Sequence, residues 1–437
     1  MTGDDRHQVV TSFEHSRIMR VFWIGMTLRL ALATFLQITG VEKSLKLTKD
    51  AFLYDQTGKT IAEYYRTNGE TSWPARTTSV FNHLYEHFVG ITYYLTDDSM
   101  FVVRIINVIA GCFVILATWR MARYITDSET AFRCGLWACL FPTQLYYCCL
   151  PVRDAHSTLG MTLIFLGMTA MTSSGKARHV LALPVGLLLT AGFRTYVATV
   201  LVILIPIGWL ATFLLVRSRG KSRFIGRVAV VAAIALALFG PTGAEKIFST
   251  GKASQVTNID YWNSTRAKMN SGGGALYGSG EVPEIGESVL GTVQGVAIGL
   301  YFFFVSVNPT EMSSVRQWMA IPEVLIVLYM IPKMYRGFRR VLKYHRFEFV
   351  SVLFVAAAIT FGYSSVTTNA GPLMRWRLQV VNIYIVVAAI GFSRNYGREK
   401  LDAGRTVSNA SAATARPSNE FVNFQSNGME SRSAARV

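Results

Sequence analysis

Long apolar blocks recur along this chain, and they constrain its fold more than any other feature. Residues 197–216, 228–239 and 349–361 contain no charged side chain. With their flanking residues, blocks of this kind approach the roughly 20 residues that an α-helix needs to cross a bilayer. The chain is 51% hydrophobic and only 16% charged, too little charge to cover soluble domains. The sequence therefore predicts an all-α, polytopic integral membrane protein.

The basic residues that give a net charge of +17 cluster between the apolar blocks, notably at residues 217–227 and 333–346. This distribution is typical of cytoplasmic loops in membrane proteins. The sequence carries no zinc knuckle, helix-turn-helix or RNA-binding signature, so we predict membrane lipids as partners and no nucleic acid. The five cysteines lie in or beside apolar segments, without metal-ligand spacing, and are expected to pack between helices.

The alternation of apolar and basic segments predicts about ten crossings, with both termini in the cytoplasm. A second crossing at residues 289–307 would place the basic segment 333–346 outside, so we predict that 289–307 is re-entrant or interfacial. The reverse assignment, in which 289–307 crosses and 319–331 does not, stays open. The predicted spans are residues 21–38, 100–121, 134–150, 155–171, 180–193, 196–216, 228–239, 319–331, 349–363 and 380–392.

The remaining segments complete the predicted domain organisation. Residues 1–393 form one transmembrane domain with outer loops at 39–98 and 242–288. The aromatic segment 81–95 carries two histidines and a glutamate, so we expect an amphipathic juxtamembrane helix in the first outer loop. Residues 394–437, rich in Ser, Ala, Asn and Arg, are expected to be a disordered cytoplasmic tail.

This topology brings several charged residues to the outer face, where charges near hydrocarbon are costly unless paired or functional. A carboxylate can take a proton from a sugar hydroxyl, and arginines can hold a phosphate through two hydrogen bonds. The set therefore predicts glycosyl transfer from a polyprenyl-phosphate sugar. Local ion pairing and snorkelling are the structural alternatives for the arginines, and Glu323 is either a site residue or a satisfied buried acid. The outer-face set is Asp50, Asp55, Arg153, Asp154, Arg194, Arg375 and Arg377.

The order of these motifs resembles the GT-C superfamily of polytopic glycosyltransferases, which includes protein mannosyltransferases, aminoarabinose transferases of lipid A and bacterial polysaccharide relatives. Asp50-Ala-Phe-Leu-Tyr54, followed by Ile61-Ala62, is similar to the family's Asp-x-x-x-Tyr opening. Arg104 and Asn107 resemble its next block, and Asp154 matches its second outer acid. Arg194-Thr-Tyr196 resembles an Arg-Pro-Tyr turn with Thr195 in place of proline, and Arg375-Trp-Arg377 resembles a late Arg-Tyr-Arg element.

The resemblance implies an inverting hexosyltransferase of the bacterial inner membrane. It would move a sugar from undecaprenyl phosphate to a cell-surface glycan or lipid acceptor on the periplasmic face. Asp50 or Asp55 would be the general base or acceptor-binding acid, and Asp154 would orient the acceptor or a cation. Arg153, Arg194, Arg375 and Arg377 would bind the carrier phosphate, with Arg104 and Tyr54 supporting the site.

Two questions of chemistry stay open in the sequence. The family's common Asp-Glu pair is absent, because Ala51 follows Asp50, so no cofactor is certain and a divalent cation is neither required nor excluded. An O-antigen or exopolysaccharide polymerase, which would rely more on arginines than on an acid, is the near alternative. A lipid-linked sugar flippase or transporter is more remote, since the two halves of the chain carry no internal repeat.

Overall fold

The computed structural model describes residues 12–41, 49–69, 83–173, 177–215, 259–270, 276, 282, 285–286, 288–305, 315–344, 346–393 and 396. The chain divides into two units, residues 1–394 and 395–437, and every described helix belongs to the first. Across the described ranges there is no β-strand, which confirms the all-α prediction. In chain order the helices are α1 Ser12–Thr39, α2 Lys49–Arg66, α3 Leu84–Thr96, α4 Met100–Arg123, α5 Ser128–Leu140, α6 Pro142–Tyr147, α7 Asp154–Thr172, α8 Ala177–Val180, α9 Ala182–Phe193, α10 Thr195–Leu215, α11 Ile259–Asn270, α12 Val289–Val305, α13 Val315–Tyr344, α14 Arg346–Val366 and α15 Ala370–Phe392.

Several of these helices are suited to a bilayer by length and composition. Four regions are long and apolar enough to cross one: Ser12–Thr39, Met100–Arg123, Phe349–Val366 and Ala370–Phe392. Ala182–Phe193, Thr195–Leu210 and Val289–Val305 are shorter apolar helices. A polytopic membrane protein is thereby confirmed, while the total of ten crossings stays a prediction. The predicted span 228–239, most of the predicted outer loop 242–288 and the predicted tail, apart from Tyr396, lie outside the described residues.

The predicted span at residues 134–150 is interrupted by a proline. Helix α5 ends at Leu140, and the short helix α6 begins at Pro142, which occupies its first turn. Phe141, between the two helices, has an extended backbone with φ −63° and ψ 120°, and a proline without a backbone N–H is suited to the first turn of the helix that follows.

The first outer loop contains a helix, α2, that hydropathy did not predict. Its sequence is polar on average, with Asp50 in the first turn and Arg66 in the last, as the helix dipole favours. It packs against α3, the helix expected from the aromatic segment 81–95. The two approach so closely that a Cβ added at Gly90 would lie 2.4 Å from Ile61. Asp50 and Asp55 therefore project from a packed helix and not from an irregular loop.

Helices α13 and α15 run in the same direction. Glu323 of α13 contacts Arg377 in the second turn of α15. Further along, Gly337 lies against Val387, where an added Cβ would come within 1.8 Å of the carbonyl oxygen. The end of α12 meets the same turn of α15, because Arg377 donates to the carbonyls of Phe303 and Phe304. The re-entrant or interfacial placement of residues 289–307 stays a prediction.

Candidate active site

A buried carboxylate lies at the centre of the candidate site. Asp154 begins α7 and is 1% exposed. Its Oδ1 accepts a hydrogen bond from Arg194 Nη2 at 2.5 Å, and its Oδ2 accepts one from Arg375 Nε at 2.7 Å. Burial of a lone carboxylate would be costly, but two guanidinium groups compensate this one. Asp154 therefore acts as a fixed anchor that orients both arginines.

The two arginines reach Asp154 from different parts of the chain. Arg194 is the single residue between α9 and α10, and its Nη1 also donates to the Tyr196 hydroxyl at 2.8 Å. Arg375 lies in the second turn of α15, and its Nη1 donates to Asp50 Oδ2 at 2.5 Å. We call Asp50, Asp154, Arg194 and Arg375 the open cluster. It joins α2, α7, α15 and the α9–α10 turn.

The open cluster borders a cavity of about 460 Å³. Asp50, Arg194 and Arg375 line its polar end together with Arg153. Arg153 forms no ion pair within the described part of the chain, and its Nε is buried without a hydrogen-bond partner there. With two carboxylates and three guanidinium groups, this end of the cavity carries one surplus positive charge. An anion is the ligand that such a balance favours.

The rest of the cavity is apolar and aromatic. Trp376 packs against Tyr363 with ring centroids 4.8 Å apart, and Tyr363 donates a hydrogen bond to Gln379 Oε1 at 2.8 Å. One cavity thus combines a cationic end with a hydrocarbon-lined channel between α10, α11 and α14. The main lining residues of this part are Val197, Val200, Tyr261, Trp262, Ala358, Ile359, Gly362, Tyr363, Val366 and Trp376.

Tyr54 lies beneath the open cluster. It is 4% exposed and packs edge-on against Tyr85, with ring centroids 4.8 Å apart. Burial raises the pKa of Tyr54 to about 12, although Arg153 and Arg375 act in the opposite direction. The phenol is therefore neutral near pH 7, where it supports the site by packing.

Arg104 and Asn107 of α4 hold the backbone that leads to Arg153. Arg104 Nη1 donates to the Cys149 carbonyl at 2.9 Å, and its Nε donates to Gln37 Oε1 at 3.1 Å. Asn107 Nδ2 donates to the carbonyls of Leu150 and Val152 at 2.6 and 3.0 Å. These bonds satisfy backbone groups of a buried irregular segment and fix the start of α7. The hydrogen bond from Arg104 to the backbone gives a physical reason for its predicted role in supporting the site.

Comparison with known proteins adds a fold to this geometry. The family model described as dolichyl-phosphate-mannose-protein mannosyltransferase matches residues 83–243. The oligosaccharyltransferase AglB from Archaeoglobus fulgidus, solved with an inhibitory peptide and a dolichol-phosphate, aligns at a TM-score of 0.53 with 12% identity. The alignment covers 92% of this chain and 52% of AglB, so this chain spans about half the length of that protein. The chain has a GT-C fold. No curated protein sequence matches it.

Two predicted site residues lie away from the cavity. Asp55 accepts hydrogen bonds from Tyr93 at 2.7 Å and from Lys59 at 3.1 Å, both outside the open cluster. Arg377 is 2% exposed and forms an ion pair with Glu323. We call Arg377 and Glu323 the sealed pair. The expectation that Arg377 joins the phosphate-binding arginines is therefore not met by its position.

The sealed pair connects several helices of the GT-C bundle. Glu323 Oε2 accepts a hydrogen bond from the Thr143 backbone N–H at 2.8 Å, at the start of α6. Arg377 Nη1 donates to the carbonyls of Phe303 and Phe304 at 3.0 and 2.7 Å. These three backbone groups and two side chains are groups that burial would otherwise leave unpaired. Of the two alternatives for Glu323, the satisfied buried acid agrees with these contacts.

Sequence reasoning missed the aromatic walls of the cavity. Trp376 lies between two arginines that were themselves the predicted site residues, and Tyr363 is the last residue of a predicted span, so neither was predicted to line the site. Tyr261 and Trp262 lie in α11, inside a segment expected to be a polar outer loop. The adjacent aromatic residues Tyr261 and Trp262, within a Gly/Ser-rich segment, were the sequence signal that could have identified this wall of the cavity.

No group of three or more His, Cys, Asp or Glu side chains is arranged to hold a metal ion within the ranges that the structure describes. All five cysteines are buried and free.

Proposed function

We propose that this protein is an inverting hexosyltransferase of the bacterial inner membrane, with both termini in the cytoplasm. It moves a sugar from undecaprenyl phosphate to a cell-surface glycan or lipid on the periplasmic face. The family-model match and the GT-C fold support a glycosyltransferase that uses a polyprenyl-phosphate-linked donor. The undecaprenyl carrier, the periplasmic face and the class of acceptor come from the resemblance of the motifs.

One observation carries the proposal: a single cavity has a cationic end and a hydrocarbon-lined remainder. A polyprenyl-phosphate sugar has the same division, with an anionic headgroup next to an apolar chain. Arginine binds phosphate through paired N–H groups, and Val197, Val200 and Ile359 offer a surface suited to isoprene units. A soluble sugar nucleotide has no apolar chain that could contact these walls.

The residues divide the chemistry between them. Asp50 accepts the proton of the acceptor hydroxyl as that oxygen bonds to the anomeric carbon of the sugar. The bond from the anomeric carbon to the phosphate oxygen breaks, and its electron pair leaves with the carrier phosphate. Arg153 and Arg375 stabilise the charge that develops on this leaving group. Asp154 holds Arg375 in place, and Arg194 in turn holds Asp154.

The test is transfer by the purified protein. Undecaprenyl phosphate carrying a radiolabelled sugar is incubated with a lipid and glycan extract, with chelator and with added Mn²⁺ or Mg²⁺ in parallel. Wild type, Asp50→Asn, Asp154→Asn and Arg375→Ala are compared with Glu63→Gln, a matched charge removal on α2. We expect label to move to an acceptor with wild type and Glu63→Gln and to be lost in the other three. Absence of transfer by the wild type with any donor sugar would contradict the proposal.

An O-antigen or exopolysaccharide polymerase is the second candidate. It is favoured by the excess of arginines at the polar end, where Asp50 is the only carboxylate among the cavity-lining residues of the described chain. Its donor would be a diphosphate-linked oligosaccharide. Transfer from that donor alone, with activity surviving in Asp50→Asn, would establish the polymerase and exclude Asp50 as the base.

A further inference from the structure

Arg375 holds two carboxylates that differ in how firmly they are fixed. Asp154 is 1% exposed, and Arg194 holds it as well. Asp50 lies in the first turn of α2 with a side chain that is 43% exposed. Exposed ion pairs contribute little because water competes for both partners. The hydrogen bond from Arg375 to the buried Asp154 is therefore the more firmly held of the two, and its bond to the exposed Asp50 is the one that a ligand can replace.

The exchangeable bond faces the ligand. Asp50 and Arg375 both line the cavity, at the end where a donor phosphate would lie. Asp50 Oδ2 lies 2.5 Å from Arg375 Nη1, so a phosphate oxygen that binds this nitrogen lies close to the carboxylate. Two anions on one guanidinium group repel each other, so the phosphate and Asp50 compete for Arg375.

This competition rests on the proposed function, and it sets the order in which the donor binds and Asp50 acts. We infer that Arg375 exchanges Asp50 for the donor phosphate, so that Asp50 becomes free to accept a proton only after the donor has bound. Before binding, Asp50 Oδ2 is held by the guanidinium group of Arg375. After binding, the same guanidinium group stabilises the leaving group. Arg375 is thus a positioning residue for Asp50 as well as a ligand of the phosphate.

The exchange has a consequence that a purely structural role does not share. Removing the Asp50 carboxylate abolishes turnover but strengthens phosphate binding, because the competitor is gone. We expect Asp50→Asn to bind undecaprenyl phosphate about three- to tenfold more tightly than wild type, the range of a partly exposed charged hydrogen bond. Asp50→Ser should change affinity in the same direction. Glu63→Gln, which removes an exposed charge elsewhere on α2, should bind like wild type.

The decisive measurement is a double-mutant cycle, with binding of undecaprenyl phosphate titrated in detergent in the presence of chelator. In the Arg375→Ala background, adding Asp50→Asn should change affinity by less than about twofold, because the shared group is absent. A gain that persists without Arg375 would mean simple charge repulsion and overturn the inference. Equal or weaker binding by Asp50→Asn would overturn it as well. Failure of the wild type to bind undecaprenyl phosphate at all would instead reject the proposed donor.

Discussion

Arg375 and Arg377 are separated by one residue on α15, yet their surroundings are opposite. Arg375 belongs to the open cluster, borders the cavity and contacts one buried and one exposed carboxylate. Arg377 belongs to the sealed pair, where Glu323 is 0% exposed and two backbone carbonyls complete the hydrogen bonding. One arginine is available to a ligand, and the other is not.

The difference follows from helix geometry. Residues two apart on an α-helix point in directions roughly 200° apart and do not share a face. The Arg-Trp-Arg sequence is therefore not one anion-binding element. Its first arginine faces the cavity, and its second joins α15 to α6, α12 and α13. Ligand chemistry and bundle cohesion thus depend on residues that are nearly adjacent in sequence.

The largest expected effect concerns the exposed carboxylate of the open cluster. Asp50→Asn keeps the shape of the side chain but cannot accept a proton, so we expect turnover to fall by about 10²- to 10⁴-fold. Because Asp50 is 43% exposed, thermal unfolding in detergent should stay close to wild type. Transfer of labelled sugar and unfolding are measured on the same preparations.

Asp50→Glu is the matched control for this first prediction, because it retains a carboxylate on a longer side chain. It should recover part of the turnover that Asp50→Asn loses. If Asp50→Asn instead transferred sugar at the wild-type rate, the open cluster would be as structural as the sealed pair, and the comparison between them would fail.

The second prediction concerns the sealed pair, where we expect stability to fall and turnover to be retained. Arg377→Met leaves Glu323 buried without its counter-charge, which should cost about 3–5 kcal/mol of the free energy of unfolding. Turnover per folded molecule should remain near that of wild type, because Arg377 does not border the cavity. Chemical unfolding in detergent measures the first quantity, and sugar transfer by the folded fraction measures the second.

The double variant Glu323→Gln with Arg377→Met removes the buried charge altogether and should regain part of the lost stability. Recovery should be incomplete, because the carbonyls of Phe303 and Phe304 still lose their donor. A fully stable but inactive Arg377→Met protein would contradict the assignment and return Arg377 to the phosphate site.

The open cluster was largely accessible to sequence reasoning, because its members are charged residues beside apolar blocks. Asp154 follows a predicted span and Arg194 separates two others, so topology alone brought them to one face. The division between Asp50 and Asp55, or between Arg375 and Arg377, required knowing that each pair lies on a helix. Helix α2 gave little signal because its residues are polar and it is stabilised by packing against α3.

The sealed pair and the cavity walls depend on contacts that are distant in sequence. Glu323 and Thr143 are 180 residues apart, and no local pattern connects them. Val200 and Ile359 likewise line one cavity from two separate helices. Such pairings are set by how the helices pack, and hydropathy reports only that each segment is apolar.

A third prediction concerns Tyr54, next to the open cluster, and tests whether its hydroxyl is shielded from water as the sealed pair is. Burial raises the pKa of Tyr54 to about 12, whereas an unfolded tyrosine titrates near 10. Its stabilising contribution is therefore complete below pH 10 and is lost as pH rises towards 12, about 2–3 kcal/mol in all. Unfolding at pH 9 and pH 11.5 should show a smaller loss in Tyr54→Phe than in wild type. Equal losses would mean that water reaches Tyr54.

The smallest expected effect distinguishes the two acids of α2. Asp55 lies five positions after Asp50, roughly 140° around the helix, and its partners are Tyr93 and the exposed Lys59. Asp55→Asn can still accept the bond from Tyr93, so only the exposed pair is lost, at a cost of at most about 1 kcal/mol. Transfer of labelled sugar should be unchanged. Loss of transfer in Asp55→Asn, with activity retained in Asp50→Asn, would move the base to Asp55. The catalytic surface of α2 would then be the face directed towards α3, and the cavity bordered by the open cluster would no longer contain the acid that activates the acceptor.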